Sequence, residues 1–393
     1  QISQTLNSRS QQDKAVKVKQ RCIHSIREKR GSSQNSLKML VNELVEFCKS
    51  ESLSEDGLCE IIERYGLTPG DINNTLSNYE FFFWACRNKR VNERIIRCLI
   101  KYFPTAASAT DEYGKTPLHV ACNRTMPRGI IQLLIDAAPD SVCSVSNDLG
   151  YMPLHILCGG DKMDKTEAVE ILKLFIEKYP EAVRHADNKG ELPIHIAAQG
   201  RSPEFCRVLI DAYPGSERIS EDSGMLPLHC ACFKATVATV EYLYKIYPDA
   251  VNQASTPGFY PIHFALYDCG KRGSSDAVEI VKFLLDCDPN VKLQKVRGNS
   301  SLHYACRKRY NDSNIEAALE VLQTIYDAHP EAIEENRIES TIHRYHQQVR
   351  AFINSQLVYS RQAKDHHVMT TPDGNGRLPL HIALQNNVRL GSI

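Results

Sequence analysis

Four apolar positions recur along this chain at a fixed distance from a proline. Counting back from Pro104, Pro139, Pro180, Pro214, Pro248, Pro289 and Pro330, the residues at −9, −8, −5 and −4 are nearly all apolar. They are Ile95, Ile96, Leu99 and Ile100 before the first proline, and Ile171, Leu172, Phe175 and Ile176 before the third. Before the sixth and seventh they are Ile280, Val281, Leu284 and Leu285, then Val321, Leu322, Ile325 and Tyr326. That spacing draws one stripe on a helix. Proline, with the restriction it places on the residue before it, ends the helix.

In phase with the stripes runs a nonapeptide: GKTPLHVAC from Gly114, GYMPLHILC from Gly150, GELPIHIAA from Gly190, GMLPLHCAC from Gly224, GFYPIHFAL from Gly258, GNSSLHYAC from Gly298 and GRLPLHIAL from Gly376. The intervals are 36, 40, 34, 34, 40 and 78 residues. Glycine permits the positive φ of a tight turn, and proline suits the first position of a helix. Each unit therefore reads as a turn, a short helix from Pro-Leu-His, a loop, and a longer helix ended by proline. One unit cannot bury its own apolar face, so the predicted fold is all-α, with helix pairs stacked neighbour on neighbour.

His229, Cys230 and Cys232 lie within four residues, a set that suggests zinc. The other copies decide against it. Cys230 aligns with Val120, Ile156, Ile196, Phe264, Tyr304 and Ile382, and Cys232 with Cys122, Cys158, Ala198, Leu266, Cys306 and Leu384, so both fill apolar slots. The recurring histidines, His119, His155, His195, His229, His263, His303 and His381, stand one per helix pair. Stacked helices lie about 8–10 Å apart, too far to share an ion bound at about 2.0–2.1 Å.

The G-x-T-P-L-H-x-A core, complete in DEYGKTPLHVAC from Asp111, resembles the ankyrin repeat, with lengthened loops, from about Tyr79 to the C-terminus. The resemblance implies a solenoid with a short β-hairpin finger ahead of each glycine. It also implies that each histidine is hydrogen-bonded to backbone in a finger turn. It implies a protein partner bound along the concave face of finger tips and inner helices.

The expected domains are a basic arm over 1–36, an N-terminal helical cap over 37–78, and an array over 79–393. The array has about seven units and a truncated eighth. LKMLVNELVEFCK from Leu37 and EDGLCEIIERYG from Glu55 read as the amphipathic helices of the cap, covering a first unit, FFFWACRNK, that lacks glycine and proline. Ile342, Tyr345, Val349, Phe352, Ile353 and Leu357 recur at helical spacing, predicting a helical insertion near 336–372, either a lid on the array or a docking element. The chain opens at Gln1 and stops inside a copy, which suggests a piece of a longer protein.

The chain has 47 basic and 47 acidic residues. Zero net charge argues against dominant nucleic-acid or membrane electrostatics. No run approaches about 18 consecutive apolar residues, and no apolar secretory core opens the chain. The 14 cysteines are spread through apolar patterns, as free thiols in a reducing compartment would be. An intracellular, cytoplasmic or nuclear location follows as an expectation.

Catalytic motifs are wanting. The GKT at Gly114 lacks the first glycine of a phosphate loop, since Ala109 stands there. His343 with His346, and His366 with His367, lack neighbouring cysteines, and neither pair is expected to hold a metal. No cofactor, metal or nucleic acid is expected, and the array reads as monomeric.

Recognition falls to the residues that vary ahead of each glycine: Asp111, Glu112 and Tyr113; Asn147, Asp148 and Leu149; Asp187, Asn188 and Lys189; Glu221, Asp222 and Ser223; Ser255, Thr256 and Pro257; Lys295, Val296 and Arg297. Arg307, Lys308 and Arg309 follow the short helix after the last of these, with Lys271, Arg272 and Lys292 in the unit before. Early fingers are thus acidic and the late one basic. The sequence predicts a non-catalytic protein-interaction scaffold, or alternatively the adaptor or sensor region of a larger protein.

Overall fold

The apolar stripes become buried helix faces. A computed structural model describes residues 34–67, 79–160, 162–272, 275–308, 310–334 and 336–370. Residues 1–33 of the arm, 68–78 of the cap, Arg309 and the last copy from residue 371 lie outside the described residues. Contacts divide the chain into two bodies, Gln1–Ala197 with Arg207–Pro214, and Ala198–Cys206 with Gly215–Ile393.

The first body holds α1 (Gln34–Lys49), α2 (Glu55–Arg64), α3 (Glu80–Arg87), α4 (Glu93–Tyr102), α5 (Pro117–Asn123), α6 (Arg128–Ala137), α7 (Pro153–Gly159) and α8 (Lys165–Lys178). The residues of α9 (Pro193–Ala198) and α10 (Pro203–Ala212) are shared between the bodies. Leading helices stack on leading helices, α1 on α3 on α5 on α7, and second helices on second, α2 on α4 on α6 on α8. The cap helices thus obey the same rule as the units they precede. Phe81 and Phe82 are fully buried, and Phe81 packs on Phe103 with ring centroids 4.8 Å apart. Asn88 donates to the Cys48 and Ser50 carbonyls at the end of α1 at 2.9 and 2.8 Å, satisfying orphan acceptors there.

The second body holds α11 (Pro227–Lys234), α12 (Val237–Ile246), α13 (Pro261–Arg272), α14 (Ser275–Cys287), α15 (Ser301–Cys306), α16 (Ile315–Ala328), α17 (Asn336–Thr341) and α18 (Gln347–Thr370). Its order is the same: α11 on α13 on α15 on α17, and α12 on α14 on α16 on α18. Over residues 336–370 the short α17 and the longer α18 continue the stack. Val349 and Ile353 are fully buried, and Phe352 meets Tyr326 edge-on at 6.3 Å.

The second helices that precede the seven prolines stop two residues before them. Most of these prolines start a short 3-10 turn, such as Pro104–Ser108, Pro139–Cys143, Pro180–Arg184 or Pro248–Asn252, whereas after Pro214 and Pro289 the turn begins at Ser216 and Val291. The turns bury small residues, Ala106 with Ala107 and Ala182 with Val183 among them. Among the described residues the cysteines are free thiols. Burial pushes the Cys48, Cys86 and Cys206 thiols up to about 12, so these side chains behave as small apolar fillers.

Candidate partner-binding surface

The recurring histidine builds the frame that presents the tips. His229 is fully buried at the start of α11; its Nδ1 accepts from the Leu226 N–H at 3.0 Å and its Nε2 donates to the Gln253 carbonyl at 3.0 Å. His119 does the same between Thr116 N–H and the Tyr151 carbonyl, and His155 between Met152 N–H and the His185 carbonyl. One ring nitrogen closes the unit's own helix start and the other reaches the next unit. Both nitrogens of His229 are committed, as the resemblance implied. Among the described residues no group of three His, Cys, Asp or Glu side chains is placed to hold an ion.

Most fingers are tight turns without strands. Asp111 N–H donates to the Lys115 carbonyl, Gly114 N–H to the Asp111 carbonyl, and Gly114 has φ +72°. This is a turn closed by one left-handed residue. Successive tips are joined by backbone: Asn147 N–H donates to the Tyr113 carbonyl and Asn188 N–H to the Leu149 carbonyl in the first body, Thr256 N–H to the Ser223 carbonyl in the second. Gly224 serves both needs, since φ is +78° and a Cβ there would lie 2.8 Å from the Thr256 nitrogen.

The candidate tip residues sort into two kinds. Asp187 and Glu221 are only 7% and 8% exposed, and each carboxylate accepts N–H groups of its own turn: Lys189 and Glu191 for Asp187, Ser223 and Met225 for Glu221. Asp111 likewise accepts from Tyr113 and Lys115 N–H, with Arg87 at 3.7 Å from its other oxygen. These carboxylates shape fingers. Glu112, Tyr113, Asp148, Leu149, Lys189 and Asp222 stand exposed. Lys115 bonds Asp148 at 2.7 Å between neighbouring fingers, and the ammonium holds that carboxyl well below the usual carboxylate range. Tyr113 and Leu149, 51% and 41% exposed, are large apolar side chains at adjacent tips.

The late finger differs. β1 (Lys295–Val296) pairs antiparallel with β2 (Asn299–Ser300), and the two-residue loop between them puts Arg297 at φ +51° and Gly298 at +75°. Lys295, Arg297 and Arg307 are exposed. Lys308 donates to the Tyr304 hydroxyl at 2.7 Å and sits over the Tyr304 and Tyr267 rings at 4.0 and 4.3 Å. Burial first, then the neighbouring Tyr267, pushes the Tyr304 phenol up to about 12, so it stays neutral. A groove of about 270 Å³ runs past Phe259, Val296, Arg297, Asn299, Tyr304, Arg307 and Lys308. It adjoins one of about 440 Å³ lined by Asn299, His303, Arg307, Ser340, Thr341, Arg344 and Tyr345. Sequence reasoning reached Arg297, Arg307 and Lys308. It missed Tyr304, which occupies a slot filled elsewhere by Val120, Ile156 or Cys230, and Arg344 and Tyr345, which come from a segment without the nonapeptide.

Stacked helix pairs joined by glycine-turned fingers define a helical-repeat protein. Residues 113–146 match the ankyrin-repeat family model, and residues 154–254 match the model of ankyrin repeats in three copies. The chain therefore carries ankyrin repeats over residues 113–146 and 154–254. No curated protein is significantly similar to the chain. Among the described residues no helix is long and apolar enough to cross a membrane.

Proposed function

We propose that this chain is a non-catalytic scaffold that binds protein partners through its finger tips. Ankyrin repeats are generally protein–protein interaction modules. The observation that carries the reading is the pairing of a recurring frame with variable tips. The histidine and glycine positions repeat, whereas Tyr113 and Leu149 hold apolar side chains in water beside the acids Glu112 and Asp148. Exposed aromatic and aliphatic groups rimmed by charge suit protein recognition. The first body's tips thus fit a partner with apolar and basic groups, and charge would govern orientation and association rate more than affinity.

Crosslinking capture with the intact chain, beside a Glu112→Lys, Tyr113→Ala, Leu149→Ala variant, tests this. Circular dichroism is expected to show that these exposed substitutions leave folding intact. The expected result is a defined protein set retained by the parent and lost by the variant. Identical capture by both would remove the tips from recognition.

A further inference from the structure

The basic hairpin of the second body does more than present a charged tip. Two adjoining grooves share Asn299 and Arg307, and their described lining includes the cations Arg297, Arg307, Lys308 and Arg344 but neither Asp nor Glu. The second groove adds the hydroxyls of Ser340, Thr341 and Tyr345. The described side chains of this lining are cationic and neutral donors, which attract an anion. Arginine forks are suited to bidentate contact with oxyanions.

Arg297 supplies an independent observation. It lies at φ +51°, in a loop type that favours Asn-Gly, and a side chain in this region strains the backbone. Beside it, Gly298 meets the same demand without a Cβ. An arginine standing where asparagine or glycine is easier is a local conflict of the kind found at functional sites.

We propose that these two grooves form a recognition site for a phosphorylated serine or threonine within an acidic, extended segment of a protein partner. Arg307 and Arg297 hold the phosphoryl group, and Arg344 takes a flanking carboxylate. A phosphoryl group carries a charge of about −1.5 to −2 and three acceptor oxygens, enough to engage several of these donors at once. A nucleic acid shares the phosphate chemistry but fits less well. Bases need free aromatic faces on which to stack, and here the Lys308 ammonium covers both Tyr304 and Tyr267. The proposal rests on the scaffold reading above, and names one partner chemistry for the second body.

Fluorescence anisotropy of the full chain tests it with ten-residue peptide pools, degenerate around a fixed phosphoserine with one flanking Glu. Parallel pools carry Ser or Glu at the fixed position, and a ten-nucleotide single-stranded DNA pool is the competing polymer. The phosphoserine pool is expected to bind at least about tenfold more tightly than the Ser pool. Arg307→Gln should lower that affinity about tenfold and Arg344→Gln by less. Arg297→Gly is the decisive variant, expected to raise the melting temperature by relieving the turn while weakening the phosphopeptide. Equal binding of the phosphoserine and Ser pools would overturn the proposal. So would a Glu pool that matches the phosphopeptide, DNA that binds more tightly, or full affinity in Arg307→Gln. Should these fail while capture still depends on Tyr113 and Leu149, the phosphoryl site falls and the scaffold reading stands.

Discussion

At the residue scale the histidines carry the clearest consequence. His155 and His263 are fully buried, and desolvation is the first cause lowering each from 6.5 to about 4. Between those values the unfolded chain binds protons that the folded chain refuses. Stability is therefore complete above about 6.5, falls as pH drops toward 4, and stops falling from this source below that. Each histidine contributes on the order of 3 kcal/mol across the window. Urea midpoints at pH 7.5, 6.0 and 5.0 should fall progressively. A His155→Asn, His263→Asn variant, though weaker at pH 7.5, should show a flatter profile over the range. The nonapeptide made these residues visible, and the substitutions at Cys230 and Cys232 removed the zinc alternative. What stayed illegible was the far partner of His119, His155 and His229, such as the Gln253 carbonyl 24 residues from His229, because a backbone acceptor leaves no mark on residue identity. Gly224 offers a second test. Alanine there meets a positive φ and a backbone nitrogen at 2.8 Å, so Gly224→Ala should lose roughly 1–3 kcal/mol in chemical denaturation.

At the element scale, helix positions were readable because apolar stripe, proline and glycine agree. The 3-10 turns were not, since proline signals where a helix stops and is silent about what starts. The fingers were half legible. The variable triplets are at the tips, yet the first residue of several, Asp111, Asp187 and Glu221, folds its carboxylate into the turn. An acidic residue two to four places before free N–H groups satisfies the same local demand in any turn. Asp187→Ala should thus lower stability by about 1–2 kcal/mol, measured by thermal melting, while Asp222→Ala, at an exposed position of the next finger in the sequence, should stay within about 0.5 kcal/mol. The pair α17–α18 was the least legible element. Its apolar spacing announced a helix, but without Pro-Leu-His nothing announced a repeat-like partner. Its role in the stack predicts that Ile353→Ala, fully buried against the pair before it, loses roughly 2–4 kcal/mol. Limited proteolysis should then cut first within 336–370.

At the scale of the whole molecule, zero net charge proved the least informative number, because it averages acidic tips in one body with a basic hairpin groove in the other. Cation and aromatic side chains from 259, 297, 304, 307 and 344 converge only when the helix pairs stack, which is why the groove was only partly visible in one dimension. Stacking also sets how damage spreads. In a repeat array each pair touches only its neighbours, so stability is close to a sum of unit and interface terms. Phe81 lies at the joint where α3 meets α1, α4 and the Phe103 ring. Phe81→Ala should remove about 3–5 kcal/mol locally. Hydrogen exchange should show protection falling most in α1 through α4, less in α5 and α6, and least in α7 and α8. Uniform loss along the first body would instead mean that it unfolds as one cooperative block, with interfaces strong enough to erase the repeat as an energetic unit.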